Sequence, residues 1–136
     1  MDFDKLNKET IKEFRANGGR VGGAFEGQTL LLLHHVGAKS GTERVSPLVY
    51  RKEGDAWVVF ASNAGLPTNP DWYYNLLARP TATVELGTET VAVTARVAEG
   101  AERTRIWGAQ TTEAPVFAGY EAQSGRNIPV IVLERS

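Results

Sequence analysis

Two apolar runs, Leu30-Leu31-Leu32-Leu33 and Leu48-Val49-Tyr50, are joined by a single short polar stretch that starts at Gly37. A parallel strand pair needs a crossover connection of about a dozen residues or more, usually a helix. The stretch Gly37-Ala38-Lys39-Ser40-Gly41-Thr42-Glu43-Arg44-Val45-Ser46-Pro47-Leu48 runs into the second strand from Arg44, so only Gly37 to Glu43 connects the two, too short for a crossover. The runs therefore read as an antiparallel hairpin. Two glycines open backbone geometries closed to other residues. Lys39, Ser40 and Arg44 bring two cations and a hydroxyl to the same turn. Such a turn suits an anion, a phosphate or a carboxylate. The same residues equally fit a solvated hairpin turn with incidental charges.

The rest of the chain extends the β reading. Strands are expected over Thr29 to Val36, Arg44 to Lys52, Ala56 to Ala61, Thr81 to Leu86, Glu89 to Val97 and Ile128 to Leu133. The first is continuously apolar, as in a strand buried on both faces. Pro47 lacks an N–H, which marks the second as an edge or bulged strand. Val91, Val93 and Ala95 alternate with polar residues, which gives the Gly87-Thr88 hairpin one wet face. Phe3, Leu6, Ile11 and Phe14 recur at helical spacing and stop at Asn17-Gly18-Gly19. A glycine-rich connector, Arg20 to Gly27, follows. A short helix is expected from Asp71 to Ala78, with Asn69 as N-cap and Pro70 at the first helical position. A further helix is expected over Ala101 to Thr111, and Glu113 to Arg126 carries no clear pattern. About six strands with few helices indicate a single domain over residues 1–136: mainly β, an antiparallel barrel with helices packed outside.

Composition narrows the function. The chain has 136 residues, a net charge of −1 and no cysteine. The charge argues against a general nucleic-acid binder, and the missing thiols exclude disulfides and cysteine nucleophiles. No apolar run reaches membrane-span length and the N-terminus does not open a signal peptide, so the chain reads as cytoplasmic. The N-terminal helix covers the core or touches a membrane surface.

His34 and His35 face opposite sides of one strand and cannot readily share a metal. Four residues do not separate Gly37 from a Gly-Lys pair, as a phosphate-binding Walker loop requires, and no dinucleotide fingerprint is present. Ser62-Asn63 and the run Asn69-Pro70-Asp71-Trp72-Tyr73-Tyr74-Asn75 form a second polar and aromatic cluster. The aromatics read equally as a buried helix face. Asn75 needs partners if buried, which a heteroaromatic ligand with carbonyl and N–H edges could supply. Phe117 and Tyr120 form a lid over this region or peripheral packing. No Ser-His-Asp set or acid pair is evident, so a cofactor would carry any hard chemistry.

These motifs, in this order, resemble the deazaflavin (F420)-dependent nitroreductase family, whose members use reduced coenzyme F420 on a split β-barrel. The resemblance covers almost the whole chain, from Glu13-Phe14-Arg15-Ala16-Asn17-Gly18-Gly19 through the turn and Asn69 to Leu76 to Arg126-Asn127-Ile128-Pro129-Val130. It implies that Lys39 and Ser40, beside Ala38, hold the phosphate and oligoglutamate tail, with Arg44 adding a cation. Val45, Ser46, Pro47, Leu48 and Val49 would line the ring with backbone groups. Phe60, Ala61, Ser62 and Asn63 would face the ring from the neighbouring strand. Asp71, Trp72, Tyr73, Tyr74 and Asn75 would close the pocket. Phe117 and Tyr120 match substrate-side tyrosines, and Ser62 a position that hydrogen-bonds substrate. Proton delivery falls to Tyr120, Ser62 or water.

The chain departs from the family pattern at three positions. Ala38 stands where a basic residue is usual, Asn63 where a lysine is common, and Phe117 lacks a hydroxyl. The resemblance implies an F420H2-dependent oxidoreductase that delivers hydride to a small electron-poor acceptor, a quinone, activated enone or nitroaromatic. Two alternatives stand beside it: an FMN-binding split-barrel oxidoreductase, and a non-catalytic carrier or sensor of F420. The oligomeric state is left open.

Overall fold

The computed structural model describes residues 3–21 and 29–136. The connector at 22–28 and the side chains of Phe3 and Leu6 lie outside the described residues. The element order is α1 (Phe3–Ala16), β1 (Leu30–Val36), β2 (Glu43–Glu53), β3 (Ala56–Phe60), a 3₁₀ turn (Asn63–Gly65), α2 (Asp71–Ala78), β4 (Thr81–Leu86), β5 (Glu89–Val97), α3 (Gly100–Glu113), α4 (Val116–Ser124) and β6 (Val130–Arg135). The six strands close into an antiparallel barrel in the order β1-β2-β3-β6-β5-β4. The mainly β barrel with outer helices is thus the observed architecture.

The leucine run accounts for the double burial of β1. Leu31 and Leu33 point into the barrel with Trp57, Val59, Val84, Val93, Ile131 and Leu133. Leu30 and Leu32 point outward and meet Phe14 of α1. Phe14 is fully buried, so the apolar face of α1 covers the outside of the β1–β2 hairpin. No helix among the described residues is long and apolar enough to cross a membrane. A third cluster lies outside β3 and β6, where Val58, Phe60, Val130 and Val132 pack under Ile106 of α3 and Phe117 of α4.

One expectation is met in part and two change. Strand β2 lies between β1 and β3 in the barrel order, but Pro47 falls in the half that pairs with β1 alone and so on a local edge. Its residues 43–49 pair with β1, whereas only residues 50–53 pair with β3. The Tyr50 N–H donates to the Thr29 carbonyl on the β1 side. Backbone groups alternate sides along a strand, so Val45, Pro47 and Val49 aim theirs away from β1. Pro47 therefore forfeits no ladder bond. Asn69 is not the N-cap of α2; Pro70 holds that position with extended backbone and no side-chain cap. The Asn69 side-chain oxygen Oδ1 instead accepts from Arg126 Nη1 at 2.6 Å. The unassigned segment after Glu113 contains α4, which ends on Gly125 in the left-handed conformation (φ 68°), an arrangement that favours glycine.

Candidate cofactor site

The turn between β1 and β2 is tightly folded. The Gly37 N–H donates to the Thr42 carbonyl at 2.9 Å, and the Gly41 N–H to the Gly37 carbonyl at 2.9 Å. Ser40 Oγ accepts from the Thr42 N–H at 3.2 Å. That oxygen stands where a Cβ on residue 37 would come, so a larger residue there would turn the Ser40 hydroxyl away from Thr42. Lys39, Ser40 and Arg44 are exposed. Neither Lys39 nor Arg44 has an ion-pair or hydrogen-bond partner among the described residues. Two uncompensated cations on a rigid turn suit the anion-binding reading.

Beneath the turn lies a polar chain that sequence reading left incomplete. Strand alternation sends His34 outward and His35 inward. His34 Nε2 lies 2.5 Å from Glu85, which also accepts from Arg15 Nη2 at 2.7 Å. His35 is 5% exposed and makes two hydrogen bonds at 2.9 Å, one with Asn75 Nδ2 and one with Ser46 Oγ. Burial, chiefly, and the positive charge of Arg44 push His35 down to about 4. It is a neutral imidazole at physiological pH. Asn75, 6% exposed, accepts from the Ala38 N–H at 2.9 Å. Its amide is thus satisfied by the protein at both ends. The ligand partners expected for Asn75 are unnecessary, because the turn and His35 supply them.

The second candidate segment follows β3. Arg126 reaches across it and donates to the carbonyls of Leu66 (3.3 Å), Ala61 (3.0 Å), Ser62 (3.2 Å) and Thr68 (3.0 Å). Asn63 adopts a left-handed backbone (φ 49°), which Asn tolerates better than most residues, and donates from Nδ2 to the Thr68 carbonyl at 3.0 Å. Arg126 lies in one of the motifs that carry the resemblance, but local sequence does not reveal its role, because its acceptors lie some sixty residues away along the chain. The Ser62 hydroxyl has no partner among the described residues. Helix α4 packs on the 3₁₀ turn, and its Tyr120 packs against the cluster of Phe60 and Phe117, its hydroxyl likewise unpartnered among the described residues.

The expected aromatic residues separate. Trp72 is buried in the barrel core beside Leu76, whereas Tyr74 is 49% exposed and meets Tyr73 edge-on at 5.3 Å. Phe117 is 8% exposed and contacts Phe60, Trp107 and Tyr120 edge-on, the packing alternative for that position. Phe60 turns into the same cluster. Asp71 is exposed at the start of α2. On β2, Ser46 and Leu48 face the barrel interior, and Val45 and Val49 pack toward α1.

The fold and the turn define a class: a small antiparallel-barrel domain with an uncompensated cationic turn beside a partly unpaired strand. Residues 6–135 match the family described as F420H(2)-dependent quinone reductase, and the chain belongs to that family. It is an F420H2-dependent oxidoreductase. The family description names F420 and lends no support to FMN. An F420H(2)-dependent quinone reductase of Mycobacterium tuberculosis is 35% identical over 126 residues, which span 90% of this chain and 85% of that protein. A solved F420-H2 dependent reductase, FDR-A, is 37% identical with a TM-score of 0.70, covering 77% of this chain and 93% of that one. A structure described as a domain-swapped dimer is 33% identical with a TM-score of 0.72 and covers 98% of each chain.

Proposed function

We propose that this chain passes hydride from reduced F420 to a quinone, with the cofactor held between the cationic turn and the open half of β2. The observation that carries the reading is the juxtaposition of Lys39 and Arg44 with residues 43–49, whose outer edge has no β3 partner in the register. The two cations fit an anionic tail. The Val45 N–H and C=O, the Pro47 C=O and the Val49 N–H and C=O fit a flat ring with donor and acceptor edges.

When bound, reduced F420 supplies the hydride. The chain's own part is binding and placement, since near-attack geometry removes much of the entropic barrier to a bimolecular step. Lys39 and Arg44 fix the anionic end and steer it to the mouth of the barrel. The segment pinned by Arg126 sets the facing wall. Its Ser62 hydroxyl and that of Tyr120 are the side chains available to hydrogen-bond a carbonyl oxygen gaining negative charge, the kind of stabilisation that lowers such barriers. A quinone accommodates this without a covalent protein intermediate. The dimeric assembly of a relative makes a second copy of this chain a natural partner to look for by light scattering.

Steady-state mixing with reduced F420 and menadione tests the reading. Recovery of oxidised-F420 fluorescence in proportion to enzyme supports it. Absence of turnover with menadione and a panel of other quinones, by protein that binds F420, would make the chain a carrier.

A further inference from the structure

The hydrogen-bond chain under the turn has a direction, and the direction can be read from its first member. A backbone N–H can only donate. The Ala38 N–H lies 2.9 Å from Asn75 Oδ1, which fixes the amide with its oxygen toward the turn. The Asn75 Nδ2–H then points at His35 Nδ1, 2.9 Å away. Nδ1 must accept, so the neutral ring carries its proton on Nε2. Nε2–H in turn donates to Ser46 Oγ at 2.9 Å. Ser46 has accepted a bond and keeps its own proton, for which no described residue provides an acceptor.

Ser46 shares the inward face of β2 with Arg44, since the two are two residues apart on one strand, and Arg44 pairs across β1 with His35. Ser46 is partly accessible at the barrel end where Asn75 of α2 closes over His35. The charged or titratable groups around His35 are Arg44 on β2, Asp71 on α2 and His34 on its own strand. None of them displaces the direction set by Ala38.

We propose that the chain Ala38–Asn75–His35 makes Ser46 an obligate hydrogen-bond donor to an anionic oxygen of the cofactor tail, with His35 and Asn75 as positioning residues. The proposal rests on the F420 site described above. It turns Ser46 from a residue that offers only backbone into a side-chain ligand. It also gives a single polar network control over both the turn, through Ala38, and the strand, through Ser46.

Fluorescence titration with oxidised F420 tests it, and the tail-free chromophore Fo serves as control. Loss of one charge-assisted hydrogen bond is worth about tenfold or more in affinity. S46A should therefore weaken F420 about tenfold while leaving Fo unchanged, and S46T, which keeps the hydroxyl, should bind as the parent does. N75D retains the acceptor for Ala38 but cannot donate to Nδ1. It should force the His35 proton onto Nδ1 and make Nε2 an acceptor of the Ser46 hydroxyl as the imidazolium deprotonates. F420 affinity of N75D should then fall with rising pH, and this fall should vanish in N75D/S46A. The parent should show none of it between about pH 5.5 and 8. Equal weakening of F420 and Fo by S46A, or no weakening, overturns the proposal, as does an N75D pH profile indifferent to S46A. Fo carrying a phosphate separates the two anions of the tail. Retained sensitivity to S46A places the phosphate on Ser46 and lost sensitivity a carboxylate, and both keep the assignment. Failure of the parent to bind F420 at all overturns the cofactor site itself, a distinct result.

Discussion

Removing the Arg126 guanidinium should loosen the segment after β3, the proposed second wall of the cofactor site. Arg126 joins four backbone carbonyls between Ala61 and Thr68 to the Asn69 side chain, over distances of 2.6 to 3.3 Å. A net hydrogen bond contributes about 1 kcal/mol, more when one partner is charged. The residue is partly exposed, so water replaces some of these bonds in a variant. Counting the three bonds at or below 3.0 Å at about 1 kcal/mol each gives a cost of roughly 3 kcal/mol for Arg126→Met. For a domain of this length that is a fall in Tm of about 10 °C. Arg126→Lys keeps the charge but not the fork, and should recover roughly a third of the loss. Urea unfolding measures the stability. Quinone-reductase assays below the melting range measure whether the Ser62 segment has moved, through a rise in KM with little change in expression. An Arg126→Met protein that melts with the parent and keeps its KM would refute the clamp.

Other perturbations separate further parts of the structure. His35 is pushed down to about 4, below the value near 6.5 of an unfolded chain. Between those values the unfolded chain holds the extra proton, so stability is full above about pH 6.5 and falls as pH drops toward 4, by about 3 kcal/mol in all. His35→Gln should flatten that limb of a Tm-against-pH curve, and an unchanged limb would show that other groups produce it. Phe117→Ala empties a buried ring site among Phe60, Trp107 and Tyr120, and should cost about 3–5 kcal/mol in chemical denaturation; a loss below 1 kcal/mol would return Phe117 to the substrate side. Tyr120→Phe should keep stability and lower kcat with menadione about 100-fold if its hydroxyl delivers the proton. An unaltered kcat would leave Ser62 or water in that role.

The fold was legible where a pattern is local. The leucine run, the glycine turns and the polar alternation of Glu89 to Val97 all depend on neighbours in sequence, and the barrel follows from them. Pro47 marked an edge correctly for only half of β2, because the two pairing partners of the strand divide it near residue 50. Asn69 had the composition of an N-cap, but a charged donor from the far end of the chain claimed its side chain. The cationic turn was visible as chemistry, since Lys39, Ser40 and Arg44 lie within six residues. Asn75 was recognised as a polar group in need of partners. Their identity was hidden, because His35 and Ala38 lie about forty residues away and meet it only once the barrel has closed. Phe117 shows the reverse case, a position singled out by resemblance whose ring packs among Phe60, Trp107 and Tyr120.

The placement of the cofactor tail on the turn is tested most directly by titrating oxidised F420 into the parent and a K39A/R44A variant. Both cations are exposed and without partners among the described residues, so their loss should leave the melting temperature in place. Each charge-assisted contact contributes about 1.5 kcal/mol or more, which predicts binding weakened about a hundredfold for the pair, with a shallower salt dependence. Equal affinity and equal salt dependence in the two proteins would move the anion site away from the β1–β2 turn.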